Sequence, residues 1–249
     1  MNGQALNADG ADAGAARPVP VIALDVPSRR EALDLVARLP RADFFKVGLQ
    51  LFTAEGPEIV RALRGEGRRV FLDLKLHDIP NTVAHAVEAA AALGVDLLTV
   101  HASGGPAMLR AARAAAPVGG GTRLLAVTVL TSLGAPELAE VWGRGPLSAA
   151  REAPRLAALA ARAGIDGVVA SVHEVAAIRA EAGAGMRVLT PGIRLAGDAA
   201  GDQARVATPA EAARVGADYL VLGRTVTAAP DPAAALDRAL GEIAAVTGP

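Results

Sequence analysis

The chain has 249 residues, 52% of them apolar and 20% charged, and a formal net charge of −1. That composition builds a sizeable core and excludes overall disorder, while the balanced charge leaves no footprint for nucleic acid or an anionic membrane surface. Cysteine is absent, which excludes disulfides, zinc–thiolate sites, iron–sulfur clusters and a cysteine nucleophile.

Residues 1–18 are small and polar with no apolar run, so they read as a disordered tail and not as a signal peptide. Residues 19–249 read as one domain. No apolar window is long enough to span a membrane, and the cytoplasm is the expected location. With four Phe, one Trp and one Tyr, there are too few rings for base-stacking platforms.

From residue 19 onward, short β-branched apolar runs alternate with Ala/Leu/Arg/Glu patterns of helical period. Strand Val19–Val26 precedes helix Ser28–Leu39, and strand Asp43–Gly48 precedes helix Thr53–Gly65. Strand Arg69–Leu76 leads to helix Ile79–Leu93, and strand Asp96–Ala102 to helix Pro106–Ala116. Strand Arg123–Thr131 leads through a short extra helix, Pro136–Trp142, to helix Pro146–Ala163. Strand Gly167–Ser171 precedes helix His173–Glu181. Strand Arg187–Ile193 precedes helix Pro209–Val215, and strand Asp218–Gly223 precedes helix Asp231–Val246. Ser28 with Glu31, and Thr208-Pro209 with Glu211, carry helix-start signals.

Strict alternation implies a parallel sheet. Eight units in about 230 residues fit a single closed (β/α)8 TIM barrel of the α/β class. A doubly wound sheet would carry a Gly-rich first turn, whereas the first turn here is Asp25-Val26-Pro27-Ser28.

Charged residues inside apolar strands are costly unless paired, and here they gather toward the C-terminal strand ends, where barrel active sites lie. Asp73 and Lys75 are two apart on one strand, so both point into the barrel while Leu72, Leu74 and Leu76 face the helices. Asp78 follows in the loop. A structural ion pair is the plain alternative, but it leaves unexplained a third charge, Lys46, at the same height on the neighbouring strand. Lys46 read alone is a snorkelling lysine, and Gly48 beside it leaves room for a ligand. Asp25 is a candidate helix cap, a place Ser28 already takes.

The last two strands end in Gly192-Ile193-Arg194 and Gly223-Arg224, which suit a phosphate dianion through backbone N–H groups and guanidinium forks. The polar loop 195–203 between them reads as a mobile lid with Gln203 as a phosphate donor. His101 reads as a packing or supporting residue, and His77 and His173 as loop or surface residues. No His/Asp/Glu spacing forms a metal site.

At these residues the chain resembles the orotidine 5′-phosphate decarboxylases of the common bacterial type. The matching pieces are Ala23-Leu24-Asp25, Lys46-Val47-Gly48, Asp73-x-Lys75-x-x-Asp78-Ile79-Pro80-Asn81-Thr82 and Val127-Thr128-Val129-Leu130-Thr131-Ser132. Thr190-Pro191-Gly192-Ile193-Arg194, Gln203 and Gly223-Arg224 complete the set, in the family's order.

The resemblance implies decarboxylation of orotidine 5′-monophosphate to uridine 5′-monophosphate, the last step of de novo pyrimidine synthesis, without metal or cofactor. It implies that Lys75 stabilises a carbanion and donates the proton, that Asp73 sits by the departing carboxylate, and that Lys46 and Asp78 complete an alternating array. It also implies that Asp25 and Lys46 hold ribose hydroxyls and that Thr131 or Ser132 meets the pyrimidine edge. Arg194, Gln203, Gly223 and Arg224 would hold phosphate. A homodimer is expected, with Asp78 and Thr82 reaching into the partner's barrel. Two alternatives remain: a magnesium-dependent sugar-phosphate decarboxylase or aldolase on the same barrel, and a non-catalytic nucleotide-binding protein. Lys46 stands where those sugar-phosphate relatives carry a metal-holding acid.

Overall fold

The computed structural model describes residues 17–116, 121–197 and 205–248. Residues 1–16, most of the expected tail, and Gln203 lie outside them. The order begins β1 (Val19–Ala23), α1 (Arg29–Ala37), β2 (Phe44–Gly48), α2 (Leu49–Glu55), α3 (Glu58–Gly65), β3 (Arg69–Leu76) and α4 (Pro80–Ala92). It continues β4 (Leu97–His101), α5 (Gly105–Ala115), β5 (Arg123–Val127), α6 (Ala135–Trp142), α7 (Ala149–Arg162), β6 (Gly167–Val169) and α8 (Val175–Ala182). It closes with β7 (Arg187–Thr190), α9 (Pro209–Arg214), β8 (Tyr219–Leu222), α10 (Arg224–Thr227) and α11 (Pro232–Thr247). The eight strands pair in parallel in sequence order, and β8 returns to β1, closing the barrel. No helix among the described residues is long and apolar enough to cross a membrane.

Strand alternation sorts the core into two parts. Ile22, Leu24, Phe45, Val47, Leu72 and Leu98 face outward and pack beneath the helices. Val21, Ala23, Phe44, Phe71, Leu97, Leu125, Leu189, Tyr219 and Val221 fill the barrel. Each large apolar side chain so buried contributes about 1.5–3 kcal/mol. Leu74 and Leu76 pack against the outer cluster, as the period-2 pattern predicts.

Three local expectations are corrected. The helix expected over Thr53–Gly65 is two, α2 and α3, because Gly56 adopts a positive φ of 61° and Pro57 has no N–H to donate. The strand expected to run to Thr131 ends at Val127, so Val129 to Ser132 form loop instead. A further one-turn helix, α10, follows Gly223 directly.

Charge is not confined to the C-terminal strand ends either. Asp96 Oδ2 accepts from the Val70 amide at 2.8 Å and from Arg64 at 3.0 Å. Asp166 Oδ2 repeats this with Leu124 and Arg113, both at 2.8 Å. Asp218 Oδ2 does so with Val188 at 2.7 Å and Arg179 at 2.9 Å. Each aspartate precedes an even strand, binds the backbone of the odd strand before it, and meets an arginine from the helix that leads into that odd strand. These floor charges are satisfied internally, and so belong to stability.

Candidate active site

Above the apolar filling, the inward positions turn polar on four adjacent strands. On β1 and beyond, Val21 and Ala23 give way to Asp25. On β2, Phe44 gives way to Lys46, and on β3, Phe71 to Asp73 and then Lys75. On β4, Leu97 gives way to Thr99 and His101. A cavity of about 520 Å³ opens there, lined by Asp25, Lys46, Asp73 and Lys75 on one side. Val127, Val169, Leu189 and Val221 form an apolar wall.

Two ion pairs organise the charged side. Lys46 Nζ lies 2.8 Å from Asp25 Oδ1. The Lys46 side chain is 11% exposed and that of Asp25 61%, so the lysine is the group that depends on its partner. Lys75 Nζ donates to both Asp73 oxygens, at 2.9 and 2.8 Å. Asp73 Oδ1 also accepts from the Thr99 hydroxyl at 2.9 Å.

Gly48 lies against the first of these pairs. A Cβ there would come 2.9 Å from Lys46 Nζ and 3.4 Å from Asp25 Oδ1. The missing side chain at Gly48 therefore makes room for the Lys46–Asp25 pair. Asp25 does not cap α1; Ser28 Oγ accepts the Glu31 amide at 3.3 Å, as the capping pattern predicts.

The opposite rim carries the remaining candidates. Thr131, Ser132, Gly192, Arg194, Gly223 and Arg224 all line the cavity. Gly192 has a φ of 75°, which lets β7 turn sharply into the Arg194 segment. Arg194 donates to the Ile193 carbonyl at 2.9 Å, and Leu195 N donates to Thr225 Oγ1 at 3.0 Å, tying the segment after β7 to α10.

Asp78 and Thr82 are exposed and do not line this chain's cavity. Asp78 Oδ1 accepts the Ile79 amide at 2.6 Å, and Ile79 itself is 67% exposed. His101 stacks on His77 with ring centroids 5.3 Å apart. Burial, then the neighbouring His77 and Lys75 charges, lower the His101 pKa, with Asp73 opposing. Thr99, fully buried on β4, is the member of this cluster that sequence reasoning missed. Its only signal is its inward position between Leu97 and His101.

Fold and site together define a closed parallel barrel with two lysine–aspartate pairs at its C-terminal mouth and an arginine-bearing rim opposite. The model of the orotidine 5′-phosphate decarboxylase / HUMPS family matches residues 18–239, and the chain belongs to this family. An orotidine 5′-phosphate decarboxylase of Anaeromyxobacter sp. (strain K) is 58% identical over 215 residues, spanning 86% of this chain and 92% of the relative. The enzyme of that name from Moorella thermoacetica is 52% identical over 239 residues, spanning 90% and 91%. The crystal structure of orotidine 5′-phosphate decarboxylase from Lactobacillus acidophilus superposes with a TM-score of 0.78 at 36% identity, covering 92% of this chain and 99% of that one.

Proposed function

We propose that this chain is a carboxy-lyase that converts orotidine 5′-monophosphate to uridine 5′-monophosphate and carbon dioxide in pyrimidine biosynthesis. The observation that carries the reading is the Lys75–Asp73 pair held at the mouth of the cavity beside a second, nearly buried lysine, Lys46. Each carboxylate of the pair of pairs already faces an ammonium group, so the chain's own charges can carry the reaction.

The bond between C6 and the carboxylate breaks, and its electron pair stays on C6. Lys75 stabilises that charge as it develops and then gives C6 a proton, leaving a neutral amine to be reprotonated from solvent. Asp73, on the lysine's other side, lies by the departing carboxylate and holds the ammonium in place. Electrostatic groups fixed in advance are the largest source of rate enhancement in such sites. Asp25 and Lys46 hold the ribose hydroxyls, and Thr131 or Ser132 meets the pyrimidine edge. Arg194, Arg224 and the Gly223 backbone hold the phosphate, with Gln203 joining them. Binding energy from this unreactive end is converted into catalysis at C6.

The working form is a homodimer in the cytoplasm. Asp78 and Thr82 from one subunit complete the other's charged array. Their exposure, with Ile79 between them and Leu49 (54% exposed) after β2, supports burial of this rim by a second copy.

The test follows the ultraviolet absorbance of orotidine 5′-monophosphate with purified protein in excess EDTA. Rapid loss of the orotate chromophore is expected. No loss, with turnover of sugar phosphates once magnesium is added, would contradict the proposal.

A further inference from the structure

The pairing of β3 with β4 slips beside the catalytic pair. Leu72 stands opposite Leu98, but the next paired residue, Leu76, stands opposite Val100. Four steps along β3 thus match two along β4. Asp73, Leu74 and Lys75 form a bulge whose single facing residue is Thr99. Lys75 is the one described residue other than glycine with a positive φ, at 50°. That conformation is sterically disfavoured for a residue with a Cβ, and it persists only where surroundings impose it.

The Thr99 hydroxyl imposes it. Thr99 Oγ1 accepts the Lys75 amide at 2.8 Å and donates to Asp73 Oδ1 at 2.9 Å. One buried hydroxyl therefore satisfies the amide that the slipped ladder leaves over and also aims the carboxylate that receives Lys75 Nζ. A hydroxyl has one proton and two lone pairs, so Thr99 performs both tasks at once and an aliphatic residue of the same shape performs neither. Packing alone gives no reason for a hydroxyl at this inward position, because Leu97 below it is apolar.

We infer that Thr99 is a positioning residue for decarboxylation: its hydroxyl clips the β3 bulge so that the Lys75 ammonium and the Asp73 carboxylate stand in reacting register. The inference rests on the proposed function for its kinetic consequence, but the clip itself is independent of substrate.

The experiment compares wild type, Thr99→Val and Thr99→Ser. For each, kcat and KM with orotidine 5′-monophosphate are measured, together with melting temperature and amide hydrogen exchange at Lys75 by NMR. A hydrogen bond to a charged group sets the expected scale. Thr99→Val should lower kcat about ten- to hundredfold with KM within about threefold, and should speed Lys75 amide exchange at least about tenfold. Thr99→Ser should return kcat to within about threefold of wild type, a rescue that a merely space-filling role would not produce. Wild-type kcat in Thr99→Val, or equal losses in the valine and serine variants, would overturn the inference. If the wild type turns over no substrate, the functional reading fails by itself. Lys75 exchange then decides the clip: hydroxyl-dependent protection upholds it, and equal exchange in all three proteins overturns it. Should Thr99→Val not fold, Thr99→Ser is the deciding variant, with near-wild-type kcat and Lys75 exchange upholding the clip and loss of both overturning it.

Discussion

Lys75 Nζ sits 2.8 Å from Asp73 Oδ2 and 2.9 Å from Oδ1, although the two residues are only two apart on the same strand. A regular strand would project both side chains in parallel from one face. The bulge turns Lys75 back over Asp73 instead, and the close charge pair follows. The pair is only partly sheltered, with 31% of the lysine side chain and 14% of the aspartate side chain exposed, so a ligand seated in the cavity can reach both groups.

Gly48→Ala tests the second pair. The added methyl would stand 2.9 Å from Lys46 Nζ and 3.4 Å from Asp25 Oδ1, closer to the ammonium than real contacts allow, so the end of the lysine must move and its geometry with Asp25 must change. We expect kcat/KM to fall about tenfold or more, the scale of a lost charge-assisted hydrogen bond. A steady-state assay checks this, and an unchanged kcat/KM would show that Lys46 has room to spare.

Arg224→Ala tests the phosphate rim. In the proposed function the guanidinium binds phosphate and touches no bond that changes, yet remote binding energy is expected to lower the barrier. The predicted loss in kcat/KM is about 10²-fold or more. Added phosphite dianion, assayed with a substrate lacking its phosphate, should activate the wild type but not the variant.

Mixed dimers test the shared rim. Lys75→Ala and Asp78→Ala should each be inactive as pure proteins. If Asp78 serves the partner's barrel, one class of site in the mixed dimer has neither lesion, and mixing should restore up to about a quarter of wild-type activity. Mass spectrometry confirms subunit exchange, and no recovery after exchange would place Asp78 in its own subunit's site.

His101 gives a pH prediction. Its folded pKa is lowered, first by burial and then by His77 and Lys75. Above the ordinary value of 6.5 both folded and unfolded forms are neutral, and His101 adds no pH dependence. Below it the unfolded chain binds a proton that the folded chain refuses, so stability falls with falling pH until the lowered folded pKa is reached. Denaturant titrations of His101→Gln should show a shallower loss of stability just below pH 6.5 than the wild type. A steeper loss would mean that His101 is protonated in the fold.

The barrel and the inward charges were legible because both follow from period. Alternation of two placed Asp73 and Lys75 on one inner surface, strand ends brought Asp25 and Lys46 to the same height, and eight strand–helix repeats left little choice but closure. What the period could not reveal is where it breaks. The slip between β3 and β4 depends on Thr99, a residue on another strand, and no local pattern around Lys75 announces a positive φ. The floor aspartates were missed for the same reason: Asp96, Asp166 and Asp218 look like strand-start residues until Arg64, Arg113 and Arg179 come to them from elsewhere in the chain. The split at Gly56-Pro57 was written plainly enough, but the amphipathic pattern running across it masked the break.

The central claim is that Lys75 carries the chemistry. The most direct measurement is kcat for Lys75→Ala against wild type, read from orotate absorbance in EDTA, with circular dichroism and uridine 5′-monophosphate binding confirming an intact fold and cavity. Removing both the proton donor and the cation beside C6 should lower kcat by at least about 10⁴-fold while nucleotide binding survives. A variant that binds nucleotide and still turns over within about tenfold of wild type would contradict the account.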